Sequence, residues 1–275
     1  MTSSFPVNAS ANTSAEESSL AAGVYIVGAG PGDPELLTLK AQRLLSQADV
    51  VLYANSLVPQ QVLAMIRSEA ECIGTANLTL ESILPLMIER VRSQKSVVRL
   101  QSGDPSLYSA IHEQMRALAE ADIPFEVVPG ISAFQAAAAR LQVELTVPEL
   151  VQTIILTRIS GRTHVPPAEE LASLAAHRAS LCLYLSARHV ETAQADLIAH
   201  YPAATPVAIC YRLGWPDERI WVVPLSQMAV TTHAEDLIRT TLYVISPALA
   251  ASAARSRLYN PSHNHLFRPR AEVEG

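Results

Sequence analysis

The hydrophobic period of this chain switches repeatedly between that of a strand and that of a helix, and no other feature narrows its fold as much. Val24 to Val27 is a short apolar run that stops at a glycine-rich turn. Thr38 to Ala48 has helical spacing, with Leu39, Leu44 and Leu45 able to share a face. Asp49 to Tyr53 is again strand-like, Pro59 suits the first turn of a second helix, and a third helix is expected over 79–94. Val97 to Leu100 runs as a strand into Ser102-Gly103-Asp104-Pro105, with a helix expected over 107–121. Phe125 to Val128 is a strand that stops at Pro129-Gly130, and Ser132 is placed to cap the alanine-rich helix that follows to about Leu141. Strand and helix thus alternate five times, which predicts an α/β domain built on a mainly parallel sheet.

Leu145 to Glu149 has no legible period, and a second unit begins beyond it. Thr153 to Thr157, Leu181 to Leu185, Val207 to Tyr211, Ile220 to Pro224 and Leu242 to Ile245 are strand-like, with helices expected over 167–176 and 189–200. Only Gly214-Trp215-Pro216-Asp217 separates two of these strands, so this half is expected to hold a mixed sheet with a hairpin. The expected organisation is a disordered leader over 1–22, an N-terminal α/β domain over 23–144, a linker over 145–151, a C-terminal α/β domain over 152–250 and a tail over 251–275.

Of the 275 residues 49% are hydrophobic and 17% charged, with a formal net charge of −6, which fits a folded enzyme-sized protein and gives no electrostatic footprint for nucleic acid. No apolar run reaches the ~18 residues of a membrane helix, and the Ser/Ala-rich start lacks the basic and apolar regions of a secretory signal. Cys72, Cys182 and Cys210 form no C-x-x-C pair, and are expected to be buried, reduced thiols of a cytoplasmic protein. His263 and His265 stand in the tail with no further ligand nearby, so no metal site is expected.

Three strand ends carry small-residue loops, and ligands of open α/β sheets sit outside the carboxyl ends of strands. The first, Gly28 to Pro34, stands where a dinucleotide fold places its phosphate turn. However, Asp33 occupies the third glycine position, Pro31 and Pro34 remove two amide donors, and Tyr53-Ala54-Asn55 offers no acid for a ribose. The second loop presents Asp104, a carboxylate able to face a cationic ligand or to cap the following helix. The third, Pro129 to Ala133, brings helix-start amides. Three such loops on one sheet edge point to a ligand site more strongly than any one alone.

The strings GAGPGDPELLT (28–38), SGDPSLY (102–108) and VPGISAF (128–134) resemble the signature loops of the tetrapyrrole methylase family. Within it YANSLVP (53–59), TLESI (79–83), GDPSLYSAIHEQ (103–114), LTVPE (145–149) and QTIILTRISGR (152–162) are similar to the branch that methylates precorrin-4 at C11; Asn55 departs from the small residue expected there. The resemblance implies a two-domain fold with S-adenosylmethionine folded in the cleft between the domains, and a homodimer. It places Pro31 of the first loop, Ser102, Gly103, Asp104, Leu107 and Tyr108 of the second, and Ser132 and Ala133 of the third in the cofactor pocket. Leu185, Leu213, Thr241 and Leu242 would close it from the second domain.

A sulfonium is an activated methyl donor, so alignment and exclusion of water are the expected tasks of the protein, with Asp104 a candidate to steady the charge or accept a proton. The precorrin-4 substrate implied is a polycarboxylate, for which arginine forks are the natural partners. Arg158 and Arg162 are the first candidates, and Arg99, Arg188 and Arg212 the second. A sister methylase acting at C17 or C20, and a module that binds S-adenosylmethionine without turnover, remain open on the sequence.

Overall fold

A computed structural model of the protein describes residues 20–161 and 163–251. The first half contains β1 (Gly23–Gly28), α1 (Leu39–Gln47), β2 (Val50–Tyr53), α2 (Gln60–Leu63), β3 (Glu71–Gly74), α3 (Leu80–Arg92), β4 (Ser96–Gln101), α4 (Ile111–Glu120), β5 (Phe125–Val128) and α5 (Ala133–Leu141). Its five strands form one parallel sheet in the order β3-β2-β4-β1-β5. Successive side chains of a strand point to opposite faces, so the continuous apolar runs imply burial on both. Val24 and Ile26 of β1 pack with Ile83, Met87 and Leu118 of α3 and α4, while Val27 packs with Leu44, Leu45 and Val62 of α1 and α2 on the other face.

The second half contains β6 (Ile154–Arg158), α6 (Leu171–Ala175), β7 (Ser180–Tyr184), α7 (Val190–Ile198), β8 (Pro206–Tyr211), β9 (Arg219–Pro224), α8 (Met228–Ala234) and β10 (Thr241–Ile245). The sheet order is β6-β7-β10-β8-β9, parallel at β6–β7 and antiparallel elsewhere, with β8 and β9 joined as the expected hairpin. On one face Leu181, Leu183 and Tyr243 pack against Leu171, Val190, Leu197 and Met228 of α6, α7 and α8. The other face is covered by α5, whose Ala137 meets Cys182, Ala208, Cys210 and Leu242. The last helix of the first half therefore serves the sheet of the second.

Several sequence expectations shift. Strand β3 and helix α8 had no assignment, being short and weakly periodic. The helix expected over 107–121 begins only at Ile111, because Tyr108 (φ 54°) and Ala110 (φ 50°) take left-handed backbone and present the preceding turn as a loop. Helix α3 tolerates the internal Pro85, since Ile83, Met87 and Val91 bury a continuous face around it. Cys182 and Cys210 are buried as expected, but Cys72 is exposed because its side chain points away from the core of edge strand β3. No helix among the described residues is long and apolar enough to cross a membrane. The leader up to residue 19, the tail from residue 252 with His263 and His265, and Arg162 lie outside the described residues.

Leu183 is fully buried between the second sheet and α7. Leu183→Ala is expected to lower the unfolding free energy by about 2–5 kcal/mol, measured by urea titration followed by circular dichroism.

Candidate active site

The strand order sets the carboxyl ends of β4, β1 and β5 side by side, and the three small-residue loops leave from those ends. Their backbones touch. The amide of Ala29 donates to the Gln101 carbonyl at 2.7 Å, and Gly30 and Gly103 exchange two hydrogen bonds of 3.2 and 2.7 Å. A Cβ on Gly28 would lie 2.6 Å from the Gly130 Cα and nitrogen and 2.7 Å from the Gly103 oxygen, so only glycine permits this approach. The Asp104 carboxylate fastens the arrangement. Its Oδ2 accepts the Gly130 amide of the third loop at 2.9 Å, and its Oδ1 accepts the Ser106 amide at 2.8 Å and the Ser106 hydroxyl.

Beyond these loops opens a cavity of about 570 Å³ walled by both halves of the chain. Pro31 of the first loop, Ser102, Gly103, Asp104, Leu107 and Tyr108 of the second, and Ser132 and Ala133 of the third all lie on its wall. Leu185, Leu213, Thr241 and Leu242 face them from the second sheet. Leu185, left-handed at φ 53° and 68% exposed, projects at the rim. With Leu57, Tyr108 and Ile238 it gives the wall four large apolar side chains that solvent reaches.

The arginine candidates divide. Arg158 and Arg188 line the cavity. Arg158 turns its guanidinium onto main-chain carbonyls, with Nη1 donating to Thr163 at 2.9 Å and Nη2 to His164 at 3.1 Å. Arg99 and Arg212 do not line it. Arg99 is buried, with Nη1 3.0 Å from Thr75 Oγ1 and Nε 3.4 Å from Gln114 Oε1, and burial brings its guanidinium down to about 10. It braces the ends of β3 and β4 against α4. Arg212 packs its guanidinium over the Trp215 ring at 4.8 Å and pairs with Asp217 at 2.6 Å, which stiffens the β8–β9 hairpin.

Several wall residues went unmarked in the sequence, among them Tyr184, Arg239 and Thr240. Tyr184 ends β7 with its hydroxyl 2.8 Å from Ser132 Oγ and accepting the Phe134 amide at 3.1 Å, so it ties the second sheet to the start of α5. Its ring lies 5.5 Å from that of Tyr108. Burial pushes the Tyr184 phenol up to about 12, against the opposing pull of its hydrogen bonds. Thr240 and Arg239 precede β10 on the same wall. The strand-end position of Tyr184 was a usable signal; nothing local marked Arg239. Among the described residues Arg158, Arg188 and Arg239 form no ion pair with a carboxylate, whereas Arg67, Arg90, Arg140 and Arg219 each do.

Asp104 is a weak base here. Desolvation pushes its carboxyl upward, but the Ser106 and Gly130 hydrogen bonds outweigh it and hold the group below the usual carboxylate range. Its oxygens hold the second and third loops together.

Comparison with known proteins places this geometry. Residues 23–229 match the family model described as tetrapyrrole (corrin/porphyrin) methylases. The chain belongs to that family. A precorrin-4 C(11)-methyltransferase of Pseudomonas aeruginosa is 46% identical over 247 residues, covering 90% of this chain and 98% of that one. The X-ray structure of a cobalamin biosynthetic enzyme, a cobalt precorrin-4 methyltransferase, superposes with a TM-score of 0.80 at 41% identity, over 82% of this chain and 95% of its own. A uroporphyrin-III C-methyltransferase from Thermus thermophilus, solved in complex with S-adenosylhomocysteine, gives a TM-score of 0.69 at 30% identity, over 85% of this chain and 96% of its own. The methylase fold thus comprises the parallel first sheet and mixed second sheet described above.

Two outcomes test the loop junction. Gly28→Ala is expected to cost about 1–3 kcal/mol of stability by denaturant titration, because the atoms it meets are backbone and cannot yield. A folded-state carboxyl held below its unfolded value of about 4 stabilises fully above that value, and the contribution is lost as pH falls through the lower folded value. Asp104→Asn should therefore lower stability at neutral pH and flatten the acid limb of a melting-temperature profile.

Proposed function

We propose that this protein transfers a methyl group from S-adenosylmethionine to C11 of precorrin-4, or of its cobalt form, in corrin biosynthesis. The observation that carries the reading is the cavity itself: three glycine-linked loops on one wall, and a rim that pairs exposed apolar side chains with arginines that form no ion pair among the described residues. Such a rim suits a flat, apolar macrocycle edged with carboxylates. The name of the relative at 46% identity supplies the position of methylation, and that of the solved structure at 41% identity the precorrin-4 substrate in its cobalt form.

The wall fits the donor. Gln101 Nε2 and Thr240 Oγ1 are buried wall atoms without a partner among the described residues, the kind of group a polar ligand satisfies. Ser102 and Ser132 add hydroxyls, and Leu213 and Leu242 add apolar surface for a nucleobase. Pro31, Gly103, Leu107, Tyr108, Ala133, Leu185 and Thr241 complete the proposed binding set. When bound, S-adenosylmethionine supplies a methyl group already activated on a sulfonium.

The remaining task belongs to the chain. Asp104 keeps the second and third loops in register and places a negative charge on the wall that faces a cationic donor. Tyr108 and Tyr184 form an aromatic surface that excludes water from the region where the methyl passes. Arg188 and Arg239 hold substrate carboxylates, while Arg158 shapes the rim through the carbonyls it binds. The macrocycle supplies the nucleophilic carbon, so the chain works by alignment. A linker over 145–151 between two domains, a cytoplasmic location and a homodimer are parts of the same proposal.

Incubation with S-adenosylmethionine and either tetrapyrrole should add the mass of one methyl to precorrin-4. Transfer only to another corrin intermediate would move the assignment to a sister methylase, and binding without any transfer would remove the enzymatic reading. Arg188→Gln and Arg239→Gln should each raise the KM for tetrapyrrole about tenfold with the affinity for S-adenosylhomocysteine unchanged.

A further inference from the structure

Gln61, in the short helix α2, does not line the cavity, yet its side-chain amide spans the two halves of the chain. Nε2 donates to the Gly32 carbonyl at 2.8 Å and to the Gly214 carbonyl at 2.6 Å. Both acceptors are carbonyl oxygens, so the amide nitrogen must face them and both its hydrogens are used. Gly32 directly follows Pro31, and Gly214 directly follows Leu213. Pro31 and Leu213 are the residues that the first loop and the β8–β9 hairpin place on the wall.

The surroundings leave little slack. A Cβ on Gly32 would lie 2.6 Å from Cδ1 of Trp215, and one on Gly214 would lie 2.6 Å from the Asp33 nitrogen. These two loops are in close contact, and the Gln61 amide bonds to both. A second tie lies behind it: Arg140 of α5 reaches Asp33 at 3.6 Å and Glu218 at 3.1 Å, and Glu218 accepts the Gly214 amide. That tie is partly exposed and ionic, so it is soft compared with two short neutral hydrogen bonds to main chain. Arg212, stacked on Trp215, holds the hairpin side of the same junction.

We infer that Gln61 is a positioning residue for the methyl donor: its amide clasps the Gly32 and Gly214 carbonyls and so sets the distance between Pro31 and Leu213 across the floor of the cavity. The inference rests on the proposed donor site and concerns only that end of it. The arginines proposed for the tetrapyrrole carboxylates, Arg188 and Arg239, lie on other segments.

The test compares Gln61→Met, which keeps the length and removes both donors, with Gln61→Asn, which keeps an amide but is one methylene short, and with Gln60→Met on the exposed side of the same turn. Calorimetric titration with S-adenosylhomocysteine should show about tenfold weaker binding for both Gln61 variants and wild-type binding for Gln60→Met. In turnover the KM for S-adenosylmethionine should rise by the same factor while the KM for tetrapyrrole stays constant, a split that a general loss of structure would not produce. Wild-type affinity in either folded Gln61 variant, or an equal rise in both KM values, overturns the inference. Absence of S-adenosylhomocysteine binding by the unaltered protein would instead count against the donor site itself.

Discussion

Everything at the cavity depends on how closely three backbones approach at Gly28, Gly103 and Gly130. The parallel order of β4, β1 and β5 brings their ends into line, but adjacency alone leaves loops free to splay. Missing side chains at Gly28 and Gly130 let the loops touch main chain to main chain, Gly103 takes a left-handed backbone (φ 67°), and the Gly30–Gly103 hydrogen bonds and the Asp104 carboxylate then lock them. A carboxylate with donors on both oxygens, from two different loops, makes the second and third loops one object. Its depressed pKa is the electrostatic sign of the same bonds, since what stabilises the charged form also makes it reluctant to take a proton.

The opposite wall is assembled by a different device. Helix α5 follows the third loop in sequence but packs on the second sheet, so the chain carries its own bridge across the cleft. Tyr184 reinforces that bridge by meeting Ser132 and the Phe134 amide at the start of α5. At the far end Gln61 joins the first loop to the β8–β9 hairpin. Ties of this kind between the two walls suit a reaction whose catalysis is chiefly the alignment of a sulfonium with a nucleophilic carbon. The composition of the walls agrees with that chemistry: hydroxyls, main-chain groups and leucines near the loops, arginines and exposed apolar side chains at the rim.

The loops were legible because their signals are local. A run such as Val24 to Val27 followed by Gly28-Ala29-Gly30 declares a strand and its end without reference to the rest of the chain. The wall residues Pro31, Ser102, Asp104, Ser132, Leu213 and Leu242 came from motif resemblance, and the fold gathers them around one space. The arginines were not legible in the same way. Arg99 sits in a strand that is buried on both faces, and Arg212 sits where Trp215 and Asp217 capture it. Neither fact is visible from a position in the sequence, whereas Arg239, which had no motif around it, lies on the wall. Helix α4 was misjudged at its start because left-handed turns at Tyr108 and Ala110 are set by the loop junction and not by helix propensity.

The sequence by itself determined the alternating architecture, the strand ends that carry small residues, and the family to which those loops belong, because hydrophobic period and glycine content act over a few neighbouring residues. The tertiary structure alone decided which charges face the cavity, which side chains clasp its two walls, and what Asp104 does with its oxygens. Those outcomes depend on contacts between segments as far apart as Gln61 and Gly214, or Ser132 and Tyr184, and pairings of that kind are set by how the two sheets pack against α5.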